Sequence, residues 1–180
     1  PRVWREVVWH PADGLPIYRN LPPELFAQLR ASLPKKRELV RRLWAAGAEV
    51  YIGTDCLQPF VVPGAALHEE MKLFAAAGIP PEAIWAMGTW RAGRGLRQRQ
   101  LGRLEPGAPA DLLVFREDPT RDLAALDTLV AVVSQGRVFP RDRLQRDLAA
   151  WGEHMKEATF DQLSVNVARP LMDQVVLRDY

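Results

Sequence analysis

The chain has one cysteine, Cys56, so no disulfide can form within it and cysteine usage leaves the redox compartment open. Histidine is nearly as scarce: His10, His68 and His154 are the three present, and no two stand in a His-x-His pair. A catalytic zinc needs about three protein ligands and an open position, so these histidines give no complete site. No apolar run is long enough to cross a bilayer, and no secretory or lipidation motif is recognisable, so a membrane is not an expected partner. Charge of one sign is also missing. The 24 basic and 22 acidic residues leave +2, too weak a field to point to nucleic acid. There is no internal repeat, no low-complexity tract and no Gly-Lys-Ser/Thr phosphate loop.

What remains is an ordinary globular composition, 48% hydrophobic and 26% charged over 180 residues, enough to bury one core. The amino-terminal stretch 2–9 has imperfect alternation and reads as a strand or extended arm ending at His10-Pro11. Asp13-Gly14, Pro16 and Pro22-Pro23 mark an irregular connection to a helix with Leu25, Phe26 and Leu29 on its apolar face. A second helix is expected from near Pro34, with Leu39, Val40, Leu43 and Trp44 on one side and Gly47 as its stop. Residues 50–52 then read as a buried strand, followed by the turn Gly53-Thr54-Asp55 and a loop through Pro59 and Pro63. Helices follow over 67–77, stopped by Gly78, and from Pro80-Pro81 through Ile84, Trp85 and Met87. Beyond an arginine- and glycine-rich stretch at 91–103, strands are expected at 111–115 and 129–133. A last helix from Arg141 places Leu144, Leu148, Trp151 and Met155 on one apolar stripe, which must pack on the body or on a partner subunit.

Asp55 is the candidate functional residue. An apolar strand that ends in a carboxylate is how a (β/α)8 barrel presents a reacting group, because the C-terminal strand ends carry the chemistry there. The same tripeptide can equally shape a turn, and that reading stays open. Cys56 beside it is either a nucleophile or a small half-buried loop residue; no histidine lies near it in sequence. Arg91, Arg94, Arg97, Arg99 and Arg103 could be a nucleic-acid patch. The lack of interleaved aromatics beyond Trp90 and the near-neutral total favour a solvated loop instead.

Several motifs in register resemble the C-terminal part of a metal-dependent amidohydrolase of the imidazolonepropionase-like and prolidase-like branch. They are Gly53-Thr54-Asp55, Gly64 with Leu67-His68-Glu69-Glu70, and Ala77-Gly78-Ile79-Pro80-Pro81-Glu82-Ala83-Ile84. Gly102-Arg103-Leu104-Glu105-Pro106-Gly107-Ala108-Pro109-Ala110-Asp111-Leu112, Asp118-Pro119 and Val130 to Gly136 complete the set, which spans roughly Pro34 to Phe139. Where the family has an Ala-Thr-x-Asn-Pro-Ala type segment, Met87-Gly88-Thr89-Trp90-Arg91-Ala92 keeps the threonine and the last alanine.

The resemblance implies an α/β fold: the C-terminal portion of a (β/α)8 TIM-like barrel over residues 1–100, strands of a small β-sandwich over 101–140, and a C-terminal helical extension over 141–180. It implies hydrolysis of a C–N bond in a small-molecule substrate by a metal-activated water, with Asp55 as metal ligand and proton shuttle. The metal implied is divalent, with zinc the expected ion. The family's remaining ligands, a His-x-His pair, a lysine and two further histidines, belong to an upstream barrel segment or a companion chain. His10, His68 and His154 are not expected to replace them. The start at Pro1 fits the distal part of something longer, and any targeting signal would lie upstream. A homo-oligomer is possible through the terminal helix. The alternative is a non-catalytic packing or assembly module in which Asp55 is only a turn residue.

Overall fold

The computed structural model describes residues 22–56, 61–154, 162, 165–167 and 170. Among them, contacts divide the chain into two units, one holding Ser32–Arg143 and the other the described parts of both terminal stretches. The expected arm at 2–9, with His10, lies outside the described residues.

Helix α1 runs unbroken over Pro23–Ala45, with Pro34 inside it, where two helices were expected. A proline removes one N–H and crowds the carbonyl four residues back, yet here it interrupts neither the apolar periodicity nor the helix. Glu38 accepts from Arg41 at 2.7 Å and from Arg42 at 2.8 Å, bracing the second half of α1. Those two guanidiniums, hydrogen-bonded to the carboxylate, lower the Glu38 pKa to about 2.

Residues 50–52 depart from expectation: they join no sheet among the described residues. A strand exists only through ladder partners, and none pairs with this segment among the described residues. Val50 and Ile52 nevertheless pack, half-buried, against the core.

That core lies within the unit 32–143 and is built mainly by two helices. Helix α2, Ala65–Ala76, contributes Met71, and Gly78 follows it at φ 87°, a left-handed exit that suits glycine. Helix α3, Pro81–Gly88, starts with proline, whose missing N–H is no loss there, and carries Glu82 in its first turn. Ile84 and Met87 on α3 are wholly shielded from solvent. Burying side chains of this size contributes about 1.5–3 kcal/mol each. A short helix α4, Trp90–Gly95, follows at once.

The β portion is a three-stranded antiparallel sheet in the order β1 (Leu112–Phe115), β2 (Leu129–Ser134), β3 (Arg137–Pro140). The strand β3 was not foreseen. Its hairpin turns on Gln135 at φ 50° and Gly136 at φ 76°, the two left-handed residues a two-residue turn requires. Asp111 pins that turn by accepting the Gln135 N–H at 2.6 Å, while Ala110 accepts the Gly136 N–H at 3.0 Å. Between β1 and β2, Asp118 accepts from both the hydroxyl (2.6 Å) and the N–H (2.9 Å) of Thr120. Those hydrogen bonds, the hydroxyl first, hold its carboxyl below the usual carboxylate range. A 3-10 segment, Leu123–Thr128, then buries Leu123 and Leu126 into the helical core.

Trp85 couples the helices to the β portion. Its indole N–H donates to the Pro119 carbonyl at 2.7 Å, and its ring meets Phe115 of β1 edge-on at 5.6 Å. Helix α5, Arg141–His154, buries no residue; Leu148 is 71% and Trp151 56% exposed. These two positions of the stripe read from the sequence are exposed, and Met155 lies outside the described residues.

Candidate functional site

The chain leaves the core at Ile52 and enters the loop Gly53-Thr54-Asp55-Cys56. Gly53 donates its N–H to Glu70 Oε1 of α2 at 3.2 Å, a link across 17 residues that fixes where the loop begins. Thr54 Oγ1 and Cys56 Sγ lie 2.8 Å apart, closing the loop on itself. Asp55, between them, is exposed and has φ 48°. Aspartate tolerates the left-handed region better than most residues, but strain of about 1–2 kcal/mol still attaches to it, and such outliers cluster at functional sites.

Glu70 is the residue that sequence reading missed. It stood inside Leu67-His68-Glu69-Glu70 without a role, because nothing local shows that α2 aims it back at Gly53. Its second oxygen, Oε2, is shielded from solvent and has no hydrogen-bond partner among the described residues. An open hollow of about 440 Å³ lies against this corner, bordered by Gly53, Thr54, Val62, Glu69, Glu70 and Leu73.

Among the described residues, neither His68 nor His154 joins Asp55 in a group that could hold a metal ion. His68 is exposed on α2 at the edge of a separate apolar cavity of about 300 Å³ that Ile52, Met71 and Trp85 also line. His154 is exposed on α5, its ring 5.6 Å from that of Trp151. Cys56 is half-buried with Thr54 as its neighbour, in keeping with the loop-residue reading. Among the described residues no group of three His, Cys, Asp or Glu side chains could hold a metal ion. A single carboxylate such as Asp55 does not make a metal centre by itself.

The arginine-rich stretch is more ordered than a solvated loop. Arg91, Arg94 and Arg103 all place their guanidiniums around Trp90, and Arg91 also lies 5.0 Å from the Trp44 ring centre. Gly102 permits this arrangement. At φ 70°, a Cβ there would fall 2.3 Å from the Thr89 carbonyl carbon, so the backbone of residue 102 must run directly against the α3–α4 junction.

Comparison with known proteins matches these features to one family. The sequence pattern of the Amidohydrolase family matches residues 13–139. An imidazolonepropionase of Streptomyces avermitilis is 33% identical over 141 residues, covering 75% of this chain and 31% of the relative. A crystal structure of an amidohydrolase superposes with TM-score 0.56 at 26% identity, covering 67% of this chain and 30% of that one. A Xaa-Pro dipeptidase crystal structure, at 23% identity and TM-score 0.52, shares the fold over 59% of this chain and 26% of its own. The chain therefore spans less than a third of the length of each of these proteins. The glycine-closed helix exit at Gly78, the proline-led α3 and the hairpin pinned by Asp111 are where the motifs recognised in the sequence fall in the structure, and with the match over residues 13–139 the chain belongs to the amidohydrolase family.

Proposed function

We propose that this chain is the distal part of a metal-dependent amidohydrolase that hydrolyses a C–N bond in an amide, cyclic amide or peptide-like small molecule. In this reading residues 1–100 close a (β/α)8 barrel, 101–140 contribute strands to a small β-sandwich, and 141–180 form a helical extension. The observation that carries it is Asp55: an exposed carboxylate in left-handed backbone, at the end of an apolar segment packed on the core. The described residues supply no complete metal site, so histidine ligands come from an upstream barrel segment or a companion chain. A divalent cation such as zinc would lower the pKa of a bound water to near 7. Asp55 would offer it one ligand oxygen, and its carboxylate would accept a proton from the attacking water and pass it to the departing nitrogen. Glu70 holds the loop by its Oε1, and its unmatched Oε2 is a place for a donor from the missing part of the barrel.

The test combines the chain with a separate polypeptide carrying histidine-bearing barrel strands, and measures zinc by elemental analysis and turnover of a cyclic amide. Metal and turnover are expected in the assembly, with turnover reduced about 10²- to 10⁴-fold by Asp55→Asn. An assembly that forms but holds no metal, or an Asp55→Asn variant as fast as its parent, overturns the proposal. The first of these outcomes would favour a packing module in which Asp55 is a turn residue.

A further inference from the structure

The arginines around Trp90 play no part in that chemistry, and their arrangement is hard to explain as solvated charge. The guanidinium carbons of Arg91, Arg94 and Arg103 lie 5.5, 5.7 and 5.5 Å from the centre of one indole ring. A single cation on an aromatic face gains about 0.5–1 kcal/mol at an exposed site. Three on one ring also repel each other, so the cluster needs negative charge nearby. Glu49 meets part of that need. It pairs with Arg94 and accepts the Tyr51 hydroxyl at 2.8 Å, and these contacts, Tyr51 first and then Arg94, lower its pKa and keep it ionised.

One carboxylate does not balance the group. The stretch from Arg91 to Arg103 holds five arginines and no acidic residue. Glu105, the next acid along the chain, borders an open hollow together with Trp90, Gly102, Arg103 and Leu104, and makes no ion pair with Arg103 among the described contacts. Arg103 is tied down by its Nε, which donates to the Arg99 carbonyl at 3.2 Å. That leaves its two terminal nitrogens at an exposed position over the ring. Arg91 is fixed as well, set against both Trp44 and Trp90, with its Nε shielded and without a hydrogen-bond partner. Positions held this way keep less of the rotamer freedom that an anion would otherwise have to freeze on binding.

We propose that Trp90 with Arg91, Arg94 and Arg103 forms a receptor for a doubly charged phosphate-type oxyanion, free or carried as an ester on a small organic molecule. Guanidinium forks match phosphate oxygens two at a time, and a dianion offsets the charge that Glu49 leaves uncompensated. The indole and Leu104 beside Arg103 offer an apolar surface to the organic part of an ester. The site is independent of Asp55 and of any metal.

Calorimetric titration of the soluble assembly of the chain with a polypeptide that supplies the rest of a barrel, using inorganic phosphate and phenyl phosphate at ionic strength held constant with sodium chloride, tests this. Saturable binding is expected for at least one of the two, and the tighter of them shows whether the ester or the free ion is the better ligand. Arg103→Ala, an exposed position, should weaken binding about tenfold or more, and Arg103→Lys should fall between it and the parent because charge is kept without the fork. Arg143→Ala, which removes a guanidinium from the ring of Phe139 instead, should leave binding unchanged. No saturable heat with either anion, or equal binding by Arg103→Ala and the parent, overturns the proposal.

Discussion

At residue 55 the backbone and the side chain make separable demands. The φ of 48° is a position where glycine is at ease and where a β-carbon costs about 1–2 kcal/mol. If aspartate stands there for its carboxylate, Asp55→Gly relieves the strain while adding about 0.4–1 kcal/mol of chain entropy to the unfolded state. Its stability in urea should then stay within about 1 kcal/mol of the parent. Asp55→Val, branched at the β-carbon, should lose more, because such residues are true outliers in this region. A loss of several kcal/mol in Asp55→Gly would show instead that the carboxylate holds the turn together, which is the turn-residue reading. The sequence made Asp55 conspicuous because an apolar run stops at it. Glu70 was hidden, since its partner Gly53 is 17 residues away and only the placement of α2 brings them together.

Among the elements, those with local chemical stops were legible. Gly47 and Gly78 end helices in left-handed backbone at φ 77° and 87°, and Pro81 opens α3, all where the sequence pointed. Elements whose existence depends on distant partners were not. Residues 50–52 have a strand's composition and no ladder, and β3 has little pattern of its own but forms because the Gln135-Gly136 turn folds Arg137 back opposite Ser134. Pro34 misled in the other direction, since a residue that usually breaks helices sits inside α1. The junction of α3 and α4 rests on contact rather than periodicity, and there Gly102→Ala should be severe. Its new methyl group would meet the backbone at Thr89 and Trp90 at 2.3 and 2.5 Å, in left-handed backbone as well. Overpacking of this kind costs about 1–3 kcal/mol and the conformation about 1–2 more, so a denaturation midpoint clearly below the parent is expected. An unchanged midpoint would mean that the Gly102 segment does not press on that junction.

For the molecule as a whole, the question is whether the described core suffices. Among the described residues of the unit 32–143, the large side chains wholly removed from water are Ile84 and Met87, while Leu39, Val62, Leu67 and Leu113 are 58%, 56%, 41% and 50% exposed. Each exposed side chain forgoes part of the ~1.5–3 kcal/mol that full burial of such a group contributes. Residues 50–52 add a segment whose N–H and C=O groups pair with no strand among the described residues, an edge that invites another chain. The two features call for the same remedy, because neighbouring strands of a barrel would both pair the segment and cover apolar side chains. The chain by itself should therefore scatter light as aggregate or melt over a broad range. Adding a polypeptide that supplies the rest of a barrel should sharpen the melt and raise its midpoint by about 4 °C or more, the shift expected for a stabilisation of about 1–2 kcal/mol. A pure monomer with a sharp, reversible transition that the added polypeptide leaves unmoved would show that the exposed leucines and the unpaired segment need no cover, and the companion would lose its physical basis.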